Sequence, residues 1–189
     1  MSTIESLIRV AYTGARSIIA KGEEAAPIWF ACTASGDIFV YITPWQDDRE
    51  KQMIASALRL IFAARNVVRY VMASEAWIVH RSKEEMDDEG GDLPVPSECP
   101  DRQEVLSIFG VEEGRSIGAQ APILHTGDER SLGPLKIFDD VQSSGRFVDL
   151  LPDPTWPPAP PGTAEMVEAK LATIGVGVID PRIETVTKH

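Results

Sequence analysis

Residues 67–80 constrain the fold more than any other part of the chain. Apolar side chains occupy both alternating sets of positions in this segment, so neither face of an extended strand would be polar. Such a strand is stable only when other elements cover both of its faces. The pattern therefore predicts a central strand, in which Glu75 is the one carboxylate that needs a partner.

Helical periodicity flanks this strand on both sides. Apolar residues recur every three or four positions over residues 3–20, and Ser2 with Glu5 resembles a capping box. A second helix ends near residue 65 and begins after either Thr43 or Asp47. A third helix is expected from Thr163, the predicted N-cap, to about residue 175.

The remaining apolar runs predict short strands joined by turns. The runs 28–33 and 38–43 enclose a glycine-containing loop and indicate a β-hairpin. Because strands follow one another without βαβ alternation, we expect an α+β fold with a mainly antiparallel sheet and the helices packed on one face. The other predicted strands are 104–111, 120–125, 135–138 and 146–151, with a turn at 127–131.

The length of 189 residues favours one main domain. We expect an α+β domain over 1–151, a proline-rich arm over 152–162, and a C-terminal helix and tail over 163–189 packed on the same domain. The arm contains two overlapping P-x-x-P spacings beside Trp156. It either docks into an aromatic groove of a partner or lies across its own domain with Trp156 as the anchor, and we favour the second interpretation.

Charge excludes one class of partner. The formal net charge is −11, which is a poor match for the phosphate backbone of a nucleic acid. Residues 84–92 carry six carboxylates and no base, a run typical of a solvated loop. A cation site and a docking surface for a basic partner are the alternatives for this acidic loop.

The sequence predicts a cytoplasmic protein without a cofactor. No segment approaches the ~20 apolar residues of a membrane span, and the first residues lack the pattern of a signal peptide. Phosphate-binding, dinucleotide-binding and common hydrolase motifs are missing. Cys32 is expected to be a buried apolar residue, whereas Cys99 is expected to be a surface thiol.

Candidate site residues lie around the central strand. Glu75 and Trp77 belong to that strand, while Asp101, Arg102 and Glu104 precede the next one. Glu75 either forms a salt bridge with a neighbouring element or acts as an acid, a base or a metal ligand in a pocket beside the tryptophan. In an antiparallel pair, Glu75 would lie deep in the sheet and the other charged residues near its edge.

Two histidines extend the candidate set. His80 and His125 lie at predicted strand ends, where histidine is usually a half-exposed polar side chain. Either could join carboxylates on a divalent metal ion.

One pattern is similar to a known group of proteins. The runs Ser74-Glu75-Ala76-Trp77 and Pro100-Asp101-Arg102-Gln103-Glu104-Val105-Leu106 resemble small bacterial and phage-associated proteins without an established activity. The resemblance covers about 35 residues. It implies a strand–loop–strand arrangement and a bacterial or phage origin, and it assigns no catalytic residue.

Two functions follow as hypotheses. The first, which we favour, is a protein-binding or accessory module, with homodimerisation through exposed sheet edges as a further expectation. The alternative is a hydrolase in which carboxylates near Glu75 and Asp101 hold a divalent metal ion that activates water.

Overall fold

The computed structural model describes residues 3–79, 96–139, 147–153 and 155–179. These residues form an α+β fold with an antiparallel sheet, as predicted. The fold contains three α-helices, and its sheet has eight strands and is curled. His80 and the acidic loop 84–92 lie outside the described residues. The elements are α1 (Ile4–Ile19), β1 (Ile28–Thr33), β2 (Ile38–Ile42), α2 (Asp48–Ala64), β3 (Val67–Ile78), β4 (Gln103–Glu112), β5 (Arg115–Thr126), β6 (Glu129–Leu132), β7 (Lys136–Asp139), α3 (Thr163–Ala172) and β8 (Gly177–Ile179).

The sheet places β3 at its centre, which confirms the prediction for this segment. The strand order is β6-β5-β4-β3-β1-β2-β8, and β7 pairs with β5 beside β6. β3 is hydrogen-bonded to β1 on one side and to β4 on the other. Val71 packs in the cluster that contains α1, whereas Tyr70 packs in the cluster that contains α2 and α3, so both faces of β3 are covered.

Helices cover both faces of the sheet, so the prediction that they pack on one face is wrong. On β1, Ile28 and Phe30 pack in the same cluster as α1, whereas Trp29 packs with α2 and α3. All six residues of β1 are buried. A strand buried on both faces needs a layer on each side, and a single helical layer could not supply this.

Helix termini differ from the sequence predictions in detail. Thr3, rather than Ser2, is the N-cap of α1, and its hydroxyl accepts a hydrogen bond from the backbone N–H of Ser6. α2 uses the later of its two predicted starts, because the Asp47 carboxylate accepts from a backbone N–H of the first turn. At α3 the N-cap is Gly162, and Thr163 is the first helical residue.

Residues 147–151 form a turn and an irregular segment instead of the predicted strand. The Tyr70 hydroxyl lies 2.6 Å and 2.7 Å from the carbonyl oxygens of Phe147 and Val148 and donates its proton there. Leu150 is fully buried in the cluster that contains α2. Packing against β3 and α2 therefore holds this segment without strand pairing.

Three strands differ from prediction because their sequence signals are weak. β5 begins at Arg115, five residues before its predicted start, and β6 includes residues assigned to a turn. β8 was not predicted and pairs with the edge of β2.

Within the described residues, no helix has the length and apolar character that crossing a bilayer requires.

Candidate functional site

Cross-strand register brings two of the predicted carboxylates onto one face of the sheet. Trp77 pairs directly with Glu104, and Glu75 pairs with Leu106 two positions further along β4. Residues directly opposite each other in an antiparallel pair point to the same face. Glu75 and Glu104 are therefore diagonal neighbours. We expected Glu75 deep in the sheet and Glu104 near its edge, and this separation does not occur.

Arg130 joins the two carboxylates. Its Nη2 lies 2.6 Å from Oε2 of Glu75 and 2.8 Å from Oε1 of Glu104. The three side chains are only 11% to 17% exposed. We name Glu75, Glu104, His125 and Arg130 the Arg130 cluster. It takes one residue from each of four consecutive strands, because the curl of the sheet brings β6 towards β3.

The Arg130 cluster also holds the chain that follows α1. Oε1 of Glu75 accepts a hydrogen bond of 2.7 Å from the backbone N–H of Ala25. Arg130 donates through Nη1 to the carbonyl oxygen of Glu23 at 3.2 Å. Both bonds connect the sheet to the segment 20–27. The salt-bridge interpretation of Glu75 agrees with this geometry.

His125 completes the cluster at its exposed side. Its Nε2 lies 2.6 Å from Oε2 of Glu104, and its side chain is 53% exposed. Burial raises the pKa of Glu104, but the hydrogen bond from His125 and the charge of Arg130 outweigh burial, so the pKa is lowered overall. Glu104 is therefore an ionised acceptor at neutral pH.

Trp77 and Arg102 form a stacked pair beside the cluster. The Arg102 guanidinium lies 4.5 Å from the centre of the Trp77 ring and donates to the carbonyl oxygen of Ser97. Trp77 is 41% exposed. Asp101 is an exposed residue of the turn before β4. The positive charge of Arg102 therefore lies against the exposed ring of Trp77.

The contacts of the cluster suit an ion-pair network. Arg130 already supplies the positive charge between Glu75 and Glu104, where the hydrolase hypothesis requires a metal ion. Among the described residues, no group of three or more His, Cys, Asp and Glu side chains could hold a metal. The hydrolase remains a prediction that these contacts do not favour.

Both cysteines are buried. Cys32 is 3% exposed, as predicted, and burial raises the pKa of its thiol. Cys99 is 5% exposed, so the prediction of a surface thiol is wrong. Its polar sequence neighbours gave no indication that the short 3-10 helix Pro96–Glu98 and the following turn would cover it.

Sequence reasoning missed Arg130 because it assigned this residue to a turn. The two-residue connection Gly127-Asp128 joins β5 and β6, and Gly127 has the positive φ of 61° that such hairpin turns require. This signal places His125 opposite Arg130. The hairpin signal in the sequence therefore predicts that the side chains of His125 and Arg130 lie on the same face of the sheet.

The proline-rich arm is the second candidate. Trp156 is 55% exposed, and its neighbours Pro157, Pro158, Pro160 and Pro161 are exposed as well. Trp156 therefore does not anchor the arm. The buried side chain nearest before it is Leu150, which is fully covered.

The other end of the arm is fixed by an ion pair. Arg65 at the end of α2 donates to both carboxylate oxygens of Glu168 on α3, at 2.9 Å and 2.7 Å. The Tyr41 hydroxyl donates to the same carboxylate at 3.0 Å. Ala164 and Leu171 of α3 are buried in the cluster that contains α2. The arm is thus held at both ends, while Trp156 and the four prolines that follow it are exposed.

A groove of about 770 Å³ lies between the arm, the start of β3 and the β4–β5 turn. We name it the arm groove. Its walls are mainly apolar, and its lining includes acidic residues from three different segments. The apolar lining includes Val68, Val111, Val148, Leu151, Trp156 and Pro158.

Comparisons with known proteins add no assignment to these two sites. No protein-family model, no curated protein and no solved structure matches the chain. The resemblance to bacterial and phage-associated proteins therefore remains a prediction. The function must be argued from the geometry alone.

Proposed function

We propose that the chain is a protein-binding module and that the proline-rich arm is its contact surface. The observation that carries the proposal is the exposure of Trp156 within a run of exposed prolines. A single exposed apolar residue needs no explanation, whereas several exposed apolar residues close together are typical of an interaction site. Tryptophan is also among the residues that contribute most to protein interfaces.

The conformation of the arm supports this function. Proline fixes φ, so the run 157–161 has few conformations to lose when a partner binds it. Extended proline-rich segments commonly dock into grooves lined by aromatic side chains. An aromatic-lined groove on another protein is the partner surface that best fits the arm.

The anchored ends strengthen the same argument. Leu150 is buried before the arm, and the Arg65–Glu168 ion pair holds α3 after it. A strap fixed at both ends presents its residues in one place, which lowers the ordering cost of binding. A free tail of the same composition would not have this advantage.

A capture experiment with matched variants tests the proposal. The full chain is immobilised and exposed to an extract of the cells that encode it, and retained proteins are quantified by mass spectrometry. We expect Trp156→Ala to reduce the retention of at least one protein tenfold or more. Met166→Ala is the control, because Met166 on α3 is equally exposed at 55% and lies outside the arm.

A second variant tests the proline geometry. The double change Pro157→Ala and Pro160→Ala removes one P-x-x-P spacing and leaves Trp156 in place. We expect it to weaken the same interaction. Identical sets of retained proteins for the unchanged chain, the Trp156 variant and this double variant would contradict the proposal.

A further inference from the structure

The arm groove combines apolar walls with negative charge at its rim. Glu113, Asp149 and Asp153 contribute carboxylates from the β4–β5 turn, the segment before the arm and the arm itself. Among the described residues that line the groove, none is a lysine, an arginine or a histidine. Arg59 lies beside one part of the rim, where its Nε donates to the backbone carbonyl oxygen of Asp149 at 2.9 Å. The described lining itself carries carboxylates and no basic side chain, so its charge is negative.

The acidic residues of the groove differ in their partners. Glu112 lies 3.5 Å from Arg115 and 3.7 Å from Arg69, so neighbouring arginines offset its charge. The Asp153 carboxylate accepts from the hydroxyl and the backbone N–H of Thr155, and these bonds lower its pKa. Asp153 thus stays ionised while it shapes the arm.

We infer that the arm groove binds a short segment of a partner protein in which arginine or lysine side chains alternate with apolar ones. A long basic side chain places its methylene groups against the valine and leucine walls and its charge at the carboxylate rim. The exposed Trp156 ring offers an additional face for the cation. The volume of about 770 Å³ falls within the range of known ligand sites and has room for several side chains.

This inference rests on the proposed function, because the arm forms one wall of the groove. It adds the chemistry of the partner: positive charge and apolar residues in one extended segment. The capture experiment above depends only on the arm and makes no assumption about charge. The two proposals can therefore fail separately.

A peptide titration tests the inference directly. The probe is a blocked hexapeptide of alternating leucine and arginine, and the control peptide carries citrulline, which keeps the shape of arginine without its charge. We expect calorimetry to show saturable binding of the arginine peptide to the full chain at 50 mM salt. The citrulline peptide should bind at least tenfold more weakly, and added salt should weaken the arginine peptide.

Variants of the rim assign the binding to the groove. The double change Glu113→Gln and Asp149→Asn should weaken the arginine peptide about three- to tenfold, as expected for exposed charge pairs. Glu23→Gln with Glu24→Gln removes the same charge from the segment 20–27, outside the groove lining, and should leave binding unchanged. Asp153 is kept because it orders the arm.

Changes at the tryptophan complete the test. Trp156→Ala should weaken the arginine peptide, and Trp156→Phe should retain most of the binding because it keeps an aromatic face. The inference is overturned if both peptides bind equally, if the rim variant behaves like the Glu23 and Glu24 control, or if no binding occurs up to about 1 mM peptide. A protein that is still captured through Trp156 in any of these cases would leave the proposed function intact.

Discussion

Replacing Arg130 by methionine tests whether the Arg130 cluster stabilises the fold. The change keeps most of the apolar stem and removes the charge, which leaves Glu75 and Glu104 facing each other at 11% and 16% exposure. Breaking a fully buried pair costs about 3–5 kcal/mol, and an exposed pair contributes about 0–1 kcal/mol. Because the three side chains are 11% to 17% exposed and so only partly desolvated, we expect Arg130→Met to lower the free energy of unfolding by about 2–3 kcal/mol.

Urea unfolding followed by circular dichroism measures this loss. In a thermal melt followed by the same signal, the melting temperature of a domain of this size should fall by about 4–12 °C. Arg9→Met on the exposed side of α1 makes the same charge change and should alter the free energy of unfolding by less than about 0.5 kcal/mol.

A compensating variant separates electrostatics from packing. Adding Glu75→Gln and Glu104→Gln to Arg130→Met removes the opposed negative charges, so at least half of the lost stability should return. The reasoning fails if Arg130→Met costs less than about 0.5 kcal/mol. It also fails if the triple variant is no more stable than the single one.

Two further predictions concern packing and pH. A Cβ at Gly110 would lie 2.9 Å from side-chain carbons of α1, so Gly110→Ala should destabilise the chain by about 1–3 kcal/mol in urea unfolding. Gly14→Ala, in open space on α1, should stabilise it by up to about 1 kcal/mol, and equal effects would refute the packing argument. Because the folded pKa of Glu104 lies below its ordinary value of 4.5, its contribution is present above that pH and is lost as pH falls through the folded pKa. Glu104→Gln should therefore flatten the dependence of unfolding free energy on pH below about 5, and an unchanged slope would contradict this.

Periodicity predicted the elements that carry a strong apolar pattern. α1, the β1–β2 hairpin and the central strand β3 occur where the sequence placed them. β5 was predicted too short because Gly118 and Ala119 give little contrast between the faces of a strand. Its pairing follows from the two-residue turn at Glu113 and Gly114, where Glu112 meets Arg115.

The face of the sheet that each helix covers could not be predicted from the sequence of the helix alone. Each helix has an apolar stripe, but a stripe does not say which face of a sheet it will cover. The pattern of β1 contained the missing information, since all six of its residues are apolar or small enough to be buried. A strand without a polar face already requires helices on both sides.

The candidate site was predicted in part. Glu75 and Glu104 were singled out because carboxylates near a covered strand need partners, and the structure joins them. The partner, Arg130, lies three strands away from Glu75, so their contact depends on how strongly the sheet curls. Curvature arises from the whole sheet, and no local pattern in β3 or β6 encodes it.

The proline-rich arm does not pack as its composition suggests. A tryptophan among prolines suggested an anchor, because a large apolar ring is usually covered. The two ends of the arm are nevertheless fixed by other groups, Leu150 on one side and Glu168 on the other. Between these two ends Trp156 is 55% exposed and lines the arm groove. Because proline fixes φ, the same prolines leave the arm with little conformational entropy to lose when it binds, which supports the use that we propose for it.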